Sequence, residues 1–498
     1  MTKSPSRKKA TLIQLIGGYL NTVIVVIQGL ILIPLYINYI GLHTYGLWLA
    51  SGGVIGMLGM INFGFGSMMI QRIASSYSSK DFAGISRYFT NGLIVYFLIC
   101  LLYFVIGRLF SSFMPLILNI SGDEARLLVV NFNLMIIGMM IAIFNECLKG
   151  LSQSLLRPLV PLISMIIGRV LGIVVTIWML TNDFGLSSIP TGFVVTEVII
   201  FIVNFIYSLR LSIKHSLFFY TNLETIKEYI SMSPFFFMTK VGNIISIQSQ
   251  PLFITMFIGP EITSIYMIIR RAAEIMLYLM RVINASIMGT FAHLFNDSDK
   301  NKSSEVAEII LTATSIVGII GFSVYVAMNN NFVLLWIDNN LIIDNNLTIA
   351  IALSFLATAL RGIMGQMLYG IGDFKTPSVI ALFEGLFAAL MSIIFLNFFG
   401  VIGVAVSLLL SSVISILIIS ARVKEKILLR VEIKDVIKLI LAAIFVFSLS
   451  YIFSLESFKI DTWALFTFTL ISSAAVVSTV LLLLNFKKCA HIYKWLVN

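Results

Sequence analysis

Fourteen apolar stretches, each close to the ~20 residues that carry an α-helix across a bilayer, follow one another along this chain. They lie at 12–37, 45–70, 89–113, 127–148, 158–180, 189–209, 230–258, 262–291, 306–328, 347–369, 377–396, 401–420, 436–454 and 463–485. Within hydrocarbon every backbone amide and carbonyl needs a partner in the protein itself, which leaves only helices or a closed barrel. These runs are continuously apolar and lack the alternation of barrel strands, so they predict an all-α polytopic membrane protein of fourteen helices. Charged residues make up 11% of the chain, against about 25% in a soluble domain.

The net charge of +10 sits mainly in short segments between apolar runs. With the N-terminus inside, Lys and Arg crowd into alternate gaps: Arg72, Lys80 and Arg87 in one, Arg422, Lys424, Lys426, Arg430, Lys434 and Lys438 in another. The opposite side holds only Arg108, near the end of the third run, Arg126 and Lys459. That asymmetry follows the positive-inside rule and places both termini in the cytoplasm. It also removes the reason to invoke nucleic acid. Cys100, Cys147 and Cys489 form no disulfide or metal spacing, and His43, His215, His293 and His491 form no metal set.

The chain also repeats itself. PLYINYIG at 34–41 reappears as PLFITMFIG at 251–259, Pro158 as Pro377, and NDFGLSSIP at 182–190 as NFFGVIGVA at 397–405. An even number of helices in the repeat makes the two halves parallel. The expected organisation is an N-lobe over 1–222, a C-lobe over 223–421, and a segment 422–498 with two further helices. A run at 422–441, RVKEKILLRVEIKDVIKLIL, reads as an amphipathic helix on the inner leaflet. Paired lobes of this kind commonly place a substrate site at their interface near the midplane.

The eighth apolar run is the unusual one, because it carries Arg270, Arg271, Glu274 and Arg281. A charge at the centre of a spanning helix costs roughly 2.5–3.5 kcal/mol on insertion scales, so such groups have partners or face water. Residues 270, 274 and 281 share a helical face. Further charges fall inside other runs: Arg169, Glu197, Lys240, Arg361 and Glu384. Polar stripes run beside them, Gln14, Asn21 and Gln28 on the first helix and Thr239, Asn243, Ser246 and Gln250 on the seventh. Arg271 and Glu274, and Arg169 or Arg361 with Glu197 or Glu384, can also pair structurally, and Arg281 can snorkel. Six bases against three acids still leave the interior positive. Pro34, Pro234 and Pro251 bend or break those helices, and the glycines of the second run (Gly52, Gly53, Gly56, Gly59, Gly64, Gly66) read as close helix packing.

The phrases YIGLHTYGLW (39–48), FGFGSMMIQRIA (63–74), LKGLSQSLLRPLVPLISMIIGRVLGIVVT (148–176) and FGVIGVAVS (399–407) resemble the multidrug/oligosaccharidyl-lipid/polysaccharide exporter superfamily. Within it the chain most resembles Wzx-type polysaccharide transporters, which flip undecaprenyl-pyrophosphate-linked repeat units. The resemblance implies two six-helix lobes around a cationic lumen, in a bacterial cytoplasmic membrane. It implies a lipid-linked oligosaccharide for O-antigen or capsule as substrate. A glycan polymerase and a chain-length regulator are the expected partners. Arginine matches a pyrophosphate with a bidentate fork. Arg270, Arg271 and Lys240 are therefore the first expected contacts, then Arg281, Arg361 and Arg169, with Asn21, Gln28, Asn243 and Gln250 as polar lining. Coupling to protons or sodium ions would involve Glu274, Glu384 or Glu197; no cofactor or resident metal is expected. Lipid II flippases of the superfamily carry arginines on the first helix, and residues 12–37 contain none, which favours a surface glycan.

Two other readings compete. A drug or metabolite exporter of the same fold should show acids and aromatics in its lumen rather than bases. A membrane polymerase or glycosyltransferase needs an acidic cluster or a large outer loop. Of the longer outer segments, 114–126 supplies only Asp123 and Glu124, and 329–346 adds Asp338 and Asp344. No catalytic constellation stands out, and the chain is not expected to be an enzyme.

Overall fold

A computed structural model describes residues 7–58, 65–231, 234–296, 300–337, 344–427, 433–454 and 460–484. The described residues form helices and turns, with no strand among them. They divide into two compact units, Met1–Lys240 and Val241–Asn498.

The first unit comprises α1 (Arg7–Leu58), α2 (Phe65–Ser78), α3 (Phe82–Ile117), α4 (Gly122–Ser154), α5 (Leu159–Thr181), a short 3-10 turn (Gly185–Ser187), α6 (Ser188–Lys214), α7 (Leu223–Ser231) and the start of α8 (Pro234–Phe257). The second unit takes the rest of α8, then α9 (Pro260–Asn296), α10 (Lys300–Ile337), α11 (Asn345–Gly370), α12 (Lys375–Phe399), α13 (Ile402–Ile427), α14 (Ile433–Ser454) and α15 (Trp463–Leu484).

Eleven helices among the described residues, rather than fourteen, are long and apolar enough to cross a membrane. The difference has a physical origin. The first expected run and the second as far as Leu58 fall on one helical stretch, α1, whose 52 residues would extend about 78 Å if straight, far beyond the ~30 Å of hydrocarbon; the second run continues over residues 59–64, outside the described residues, to the start of α2. The backbone breaks at Gly41 (φ 75°, ψ 161°), a conformation that glycine alone adopts without strain. Neither α8 nor α9 is among the eleven, and α9 carries the cluster of charges. The surface helix expected over 422–441 is instead divided between the last turns of α13 and the first of α14. Residues 428–432 of that run lie outside the described residues.

The sequence repeat has a backbone counterpart. Gly41 and Gly259 close the two related phrases, and both have positive φ (75° and 138°). Leu156 and Gly372 (58° and 84°) stand just before Pro158 and Pro377. Gly185 and Gly400 (55° and 57°) turn the chain into α6 and α13. Left-handed turns thus recur at matching places in the two halves.

Packing inside each unit relies on small residues, as it must where lipid supplies no hydrophobic drive between helices. In the first unit α5 and α6 meet through Gly172 and Gly192. A Cβ on either would lie 1.9 or 1.8 Å from the hydroxyl of Thr196 or Thr176. In the second, Gly242 of α8 and Gly385 of α12 put backbone against backbone, a Cβ on Gly385 falling 2.3 Å from the Gly242 carbonyl oxygen. Ser392 and Ser407 share a hydrogen bond of 2.6 Å between α12 and α13. Large apolar side chains such as Phe97, Trp178, Leu417 and Phe398 point outward, as a surface solvated by acyl chains requires.

Candidate functional site: paired and unpaired charges within the helices

In the second unit the charged face of α9 is a network rather than a row of free cations. Arg270 is 1% exposed. Its Nη2 lies 2.6 Å from Glu274 Oε1, its Nε donates to the same oxygen at 2.9 Å, and its Nη1 donates to Gln250 Oε1 at 2.6 Å. The Tyr266 hydroxyl also donates to Gln250 Oε1, at 2.7 Å, and the Tyr266 ring lies under the guanidinium at 5.5 Å. Arg271 Nη1 reaches the other oxygen of Glu274 at 3.3 Å. One carboxylate therefore serves two arginines. Arg270 is held on every side, whereas Arg271 and Glu274 keep about a quarter of their side-chain surface exposed.

A second network joins α8, α11, α12 and α13. Arg361 Nη2 donates to Asn243 Oδ1 at 2.7 Å, and its Nε forms an ion pair with Glu384 Oε2. Ser412 donates to Glu384 Oε1 at 2.6 Å and lies 3.0 Å from the Thr358 hydroxyl. Both charged partners are buried. Arg281, by contrast, is exposed. It lies within electrostatic reach of Arg361 and Glu274, and no hydrogen bond or ion pair holds it among the described residues.

The first unit holds the remaining candidates. Arg169 on α5 approaches Gln28 Oε1 on α1 at 3.5 Å, the long limit of a hydrogen bond, and its Nε is buried without a partner. Glu197 on α6 has no cation within ion-pair distance among the described residues. Asn145 of α4 donates to its carboxylate at 2.9 Å and to its backbone carbonyl at 3.1 Å. Lys240 is half-buried near Glu146, itself paired with Lys149 at 2.6 Å. Asn21 is half-buried with its Oδ1 enclosed and unpartnered.

The polar stripe residues thus have a specific job. Gln28, Asn243 and Gln250 each face an arginine: Arg169, Arg361 and Arg270 in turn. Tyr266, Thr358, Ser412 and Asn145 complete the networks and escaped the reading of the sequence. Tyr266 was detectable as the residue one turn before Arg270. Asn145, an amide in an apolar run, was also visible, but its partner, Glu197, stands on another helix.

In the first turn of α4, Glu124 meets His43 of α1 at 2.8 Å, both exposed.

A family model described as MatE matches residues 50–178. No curated protein matches. Among solved structures, the lipid II flippase MurJ in an inward closed conformation aligns over 98% of this chain and 100% of its own, with a TM-score of 0.71 and 16% identity. An inward-facing multidrug resistance MATE family transporter covers 80% of this chain and 95% of its own (TM-score 0.67, 14% identity). A transporter from Pyrococcus furiosus, described as having a binding pocket of reversed polarity, covers 84% and 97% (TM-score 0.58, 14% identity). The fold is the one these structures share. Each of these structural relatives is a transporter or flippase, and none is an enzyme. The geometry above sorts the intramembrane charges into enclosed pairs, such as Arg270 with Glu274 and Arg361 with Glu384, and groups outside any such pair.

Proposed function

We propose that the protein is a flippase for an undecaprenyl-pyrophosphate-linked oligosaccharide, serving O-antigen, capsule or a similar surface glycan. The observation that carries this reading is the cation left over on α9. After Glu274 and Glu384 have taken their arginines, Arg281 remains exposed and unpaired among the described residues, and Arg271 shares its carboxylate with Arg270. Guanidinium groups in that state match a pyrophosphate oxyanion. Arg270 and Arg361 are enclosed, and their role in this reading is to hold the face in shape.

Two further observations support a lipid-borne substrate. The lipid II flippase aligns with nearly the whole chain, while the multidrug transporter leaves a fifth of it unmatched. The helices α10, α14 and α15 also enclose a cavity of about 390 Å³ lined mostly by apolar groups, among them Leu449, Phe453, Ile460, Leu465 and Val476. A groove of that composition suits a hydrocarbon chain.

Among the intramembrane acids, Glu197 is the best coupling group for protons or sodium ions. A neutral amide holds it, whereas Glu274 and Glu384 each sit in an arginine ion pair. The setting proposed is a bacterial cytoplasmic membrane with both termini inside, beside a glycan polymerase and a chain-length regulator.

The test is the sidedness of the lipid-linked oligosaccharide in depleted cells, read with an impermeant outside probe. Re-expressed protein should restore outside access, and Arg281→Gln should cut restoration at least about tenfold with normal membrane levels, the cost of one charge-assisted contact. The MatE match and the fold shared with a multidrug resistance MATE family transporter favour drug export as the alternative. Unchanged lipid sidedness with raised drug sensitivity on depletion would establish that alternative and sink the flippase.

A further inference from the structure

The two halves carry related polar nodes, and the one in the first unit holds an ion pair that is not closed. The left-handed turns that recur in both halves set the correspondence. Asn145 and Arg361 stand eleven residues before Leu156 and Gly372. Arg169 and Glu384 stand sixteen residues before Gly185 and Gly400, and Glu197 and Ser412 twelve after them. In the second unit these positions meet: Arg361 is ion-paired with Glu384, and Ser412 donates to the same carboxylate at 2.6 Å. In the first unit they supply an amide on α4, a guanidinium on α5 and a carboxylate on α6. Asn145 donates to Glu197 at 2.9 Å, while Arg169 turns away to Gln28 on α1.

Backbone packing puts the two charges within reach of each other. Helices α5 and α6 touch at Gly168, where a Cβ would lie 2.8 Å from the Thr196 carbonyl oxygen. Arg169 and Glu197 are the next residues on each helix, so their side chains leave from adjacent points, and each acts electrostatically on the other. The other charges acting on Glu197 are Lys149 and Glu146, which pair with each other at 2.6 Å; Lys240 acts on Glu146.

Neither charge is fully satisfied where it stands. The contact of Arg169 with Gln28 is at the 3.5 Å limit, and its Nε is enclosed without a hydrogen-bond partner. The Glu197 carboxylate receives the Asn145 amide, and Asn145, fully buried, keeps its Oδ1 enclosed and unpartnered. Carboxylate and amide oxygens are the ligands a hard cation takes. One carboxylate in an apolar interior neutralises one positive charge, and a bound cation together with a guanidinium would leave a costly net charge there.

We propose that Arg169 is an internal stand-in for the coupling cation. With a proton or sodium ion on Glu197, Arg169 lies against Gln28. When the cation leaves, Arg169 swings to the carboxylate and closes the pair that Arg361 and Glu384 form in the second unit. Gln28 belongs to α1, so the exchange reports cation occupancy to the helix that breaks at Gly41. The proposal rests on Glu197 being the coupling group and adds the residue that competes for it.

The experiment is thermal unfolding of the purified full-length protein in detergent, titrated with sodium chloride against choline chloride at fixed pH, and separately with protons. The cation that Glu197 takes should raise the midpoint, and Glu197→Gln should abolish that response. Arg169→Gln should reach the same shift at a cation concentration at least about tenfold lower, since a neighbouring opposite charge is worth about one to three pKa units. Gln28→Leu should move the requirement the other way, by about threefold, the weight of one long hydrogen bond. It also serves as the readout if Arg169→Gln fails to fold. Arg169→Lys keeps the charge and should keep the wild-type requirement. An unchanged requirement in Arg169→Gln or Gln28→Leu, shifts of the same sign in both, or Arg169→Lys behaving as Arg169→Gln would overturn the proposal while leaving Glu197 as the coupling group. A wild type indifferent to both cations, or a Glu197→Gln variant that keeps the response, would overturn the coupling reading and this proposal with it.

Discussion

The pair Arg361–Glu384 permits a prediction that separates a structural cation from one that touches substrate. Glu384 is 2% exposed and receives Arg361 and Ser412; Arg361 holds only Asn243 besides. Glu384→Gln keeps the shape but strands a guanidinium in a low-dielectric interior with two neutral oxygens for company. Breaking a buried pair by removing one partner costs about 3–5 kcal/mol, whereas replacing both by apolar groups of similar volume is often neutral or stabilising by 1–4. At about 1.4 kcal/mol per decade, the single change should lower the folded-to-unfolded ratio by two to nearly four orders of magnitude. Arg361→Met with Glu384→Leu should recover most of that loss. The assay is an unfolding titration in mixed micelles, run beside the lipid-sidedness measurement. A structural pair predicts that the double variant regains both stability and translocation. A substrate-gripping Arg361 predicts regained stability with translocation still absent. If Glu384→Gln is as stable as wild type, the pair is solvated and the reasoning fails at its first step.

Other expectations follow from the same geometry. Gly385→Val should destabilise the second unit by about 1–3 kcal/mol, because the new branched side chain meets the backbone of α8 rather than a movable side chain; normal melting and normal membrane levels would contradict this. Glu197→Gln should abolish the response of transport to an imposed ion gradient while leaving substrate retention on the purified protein intact, and a preserved gradient response would exclude Glu197 as the coupling group. Because burial, Arg157 and Lys214 make His215 less basic in the fold, the native state binds fewer protons than the unfolded chain as pH falls below about 6.5. Thermal stability should therefore be flat above that pH and decline below it down to the lowered native value, and His215→Phe should flatten that decline in melts from pH 7.5 to 5.5.

Much of the architecture was legible because lipid leaves so few options. A run of twenty apolar residues in a membrane has to be helical, and α3 to α6 and α10 to α15 coincide with ten of the expected runs. Turn chemistry was legible too: the glycines that close the repeated phrases, Gly41 and Gly259, take positive φ in both halves. Hydropathy separated the two runs at 12–37 and 45–70, and Gly41, with its positive φ, is where the backbone breaks between them. It also marked runs at 230–258 and 262–291, although the polar and charged residues of α8 and α9 leave neither among the eleven helices apolar enough to cross.

Charge was the hardest feature to interpret, and the reason lies in range. Arg270 with Glu274 is an i, i+4 pair, and helix geometry alone brings it together. Arg361 with Glu384, and Arg270 with Gln250, cross between helices, and nothing in the spacing of those residues fixes their contact. Counting bases against acids therefore gives a net sign but not which charges are paired across helices. In a medium where an unpaired ion costs several kcal/mol, the most enclosed arginine is the one most completely paired. It is the least able to hold a transient ligand. An open position such as Arg281 carries the weaker local signal in sequence but the stronger claim on a substrate, because only a group not already committed within the protein can release its cargo.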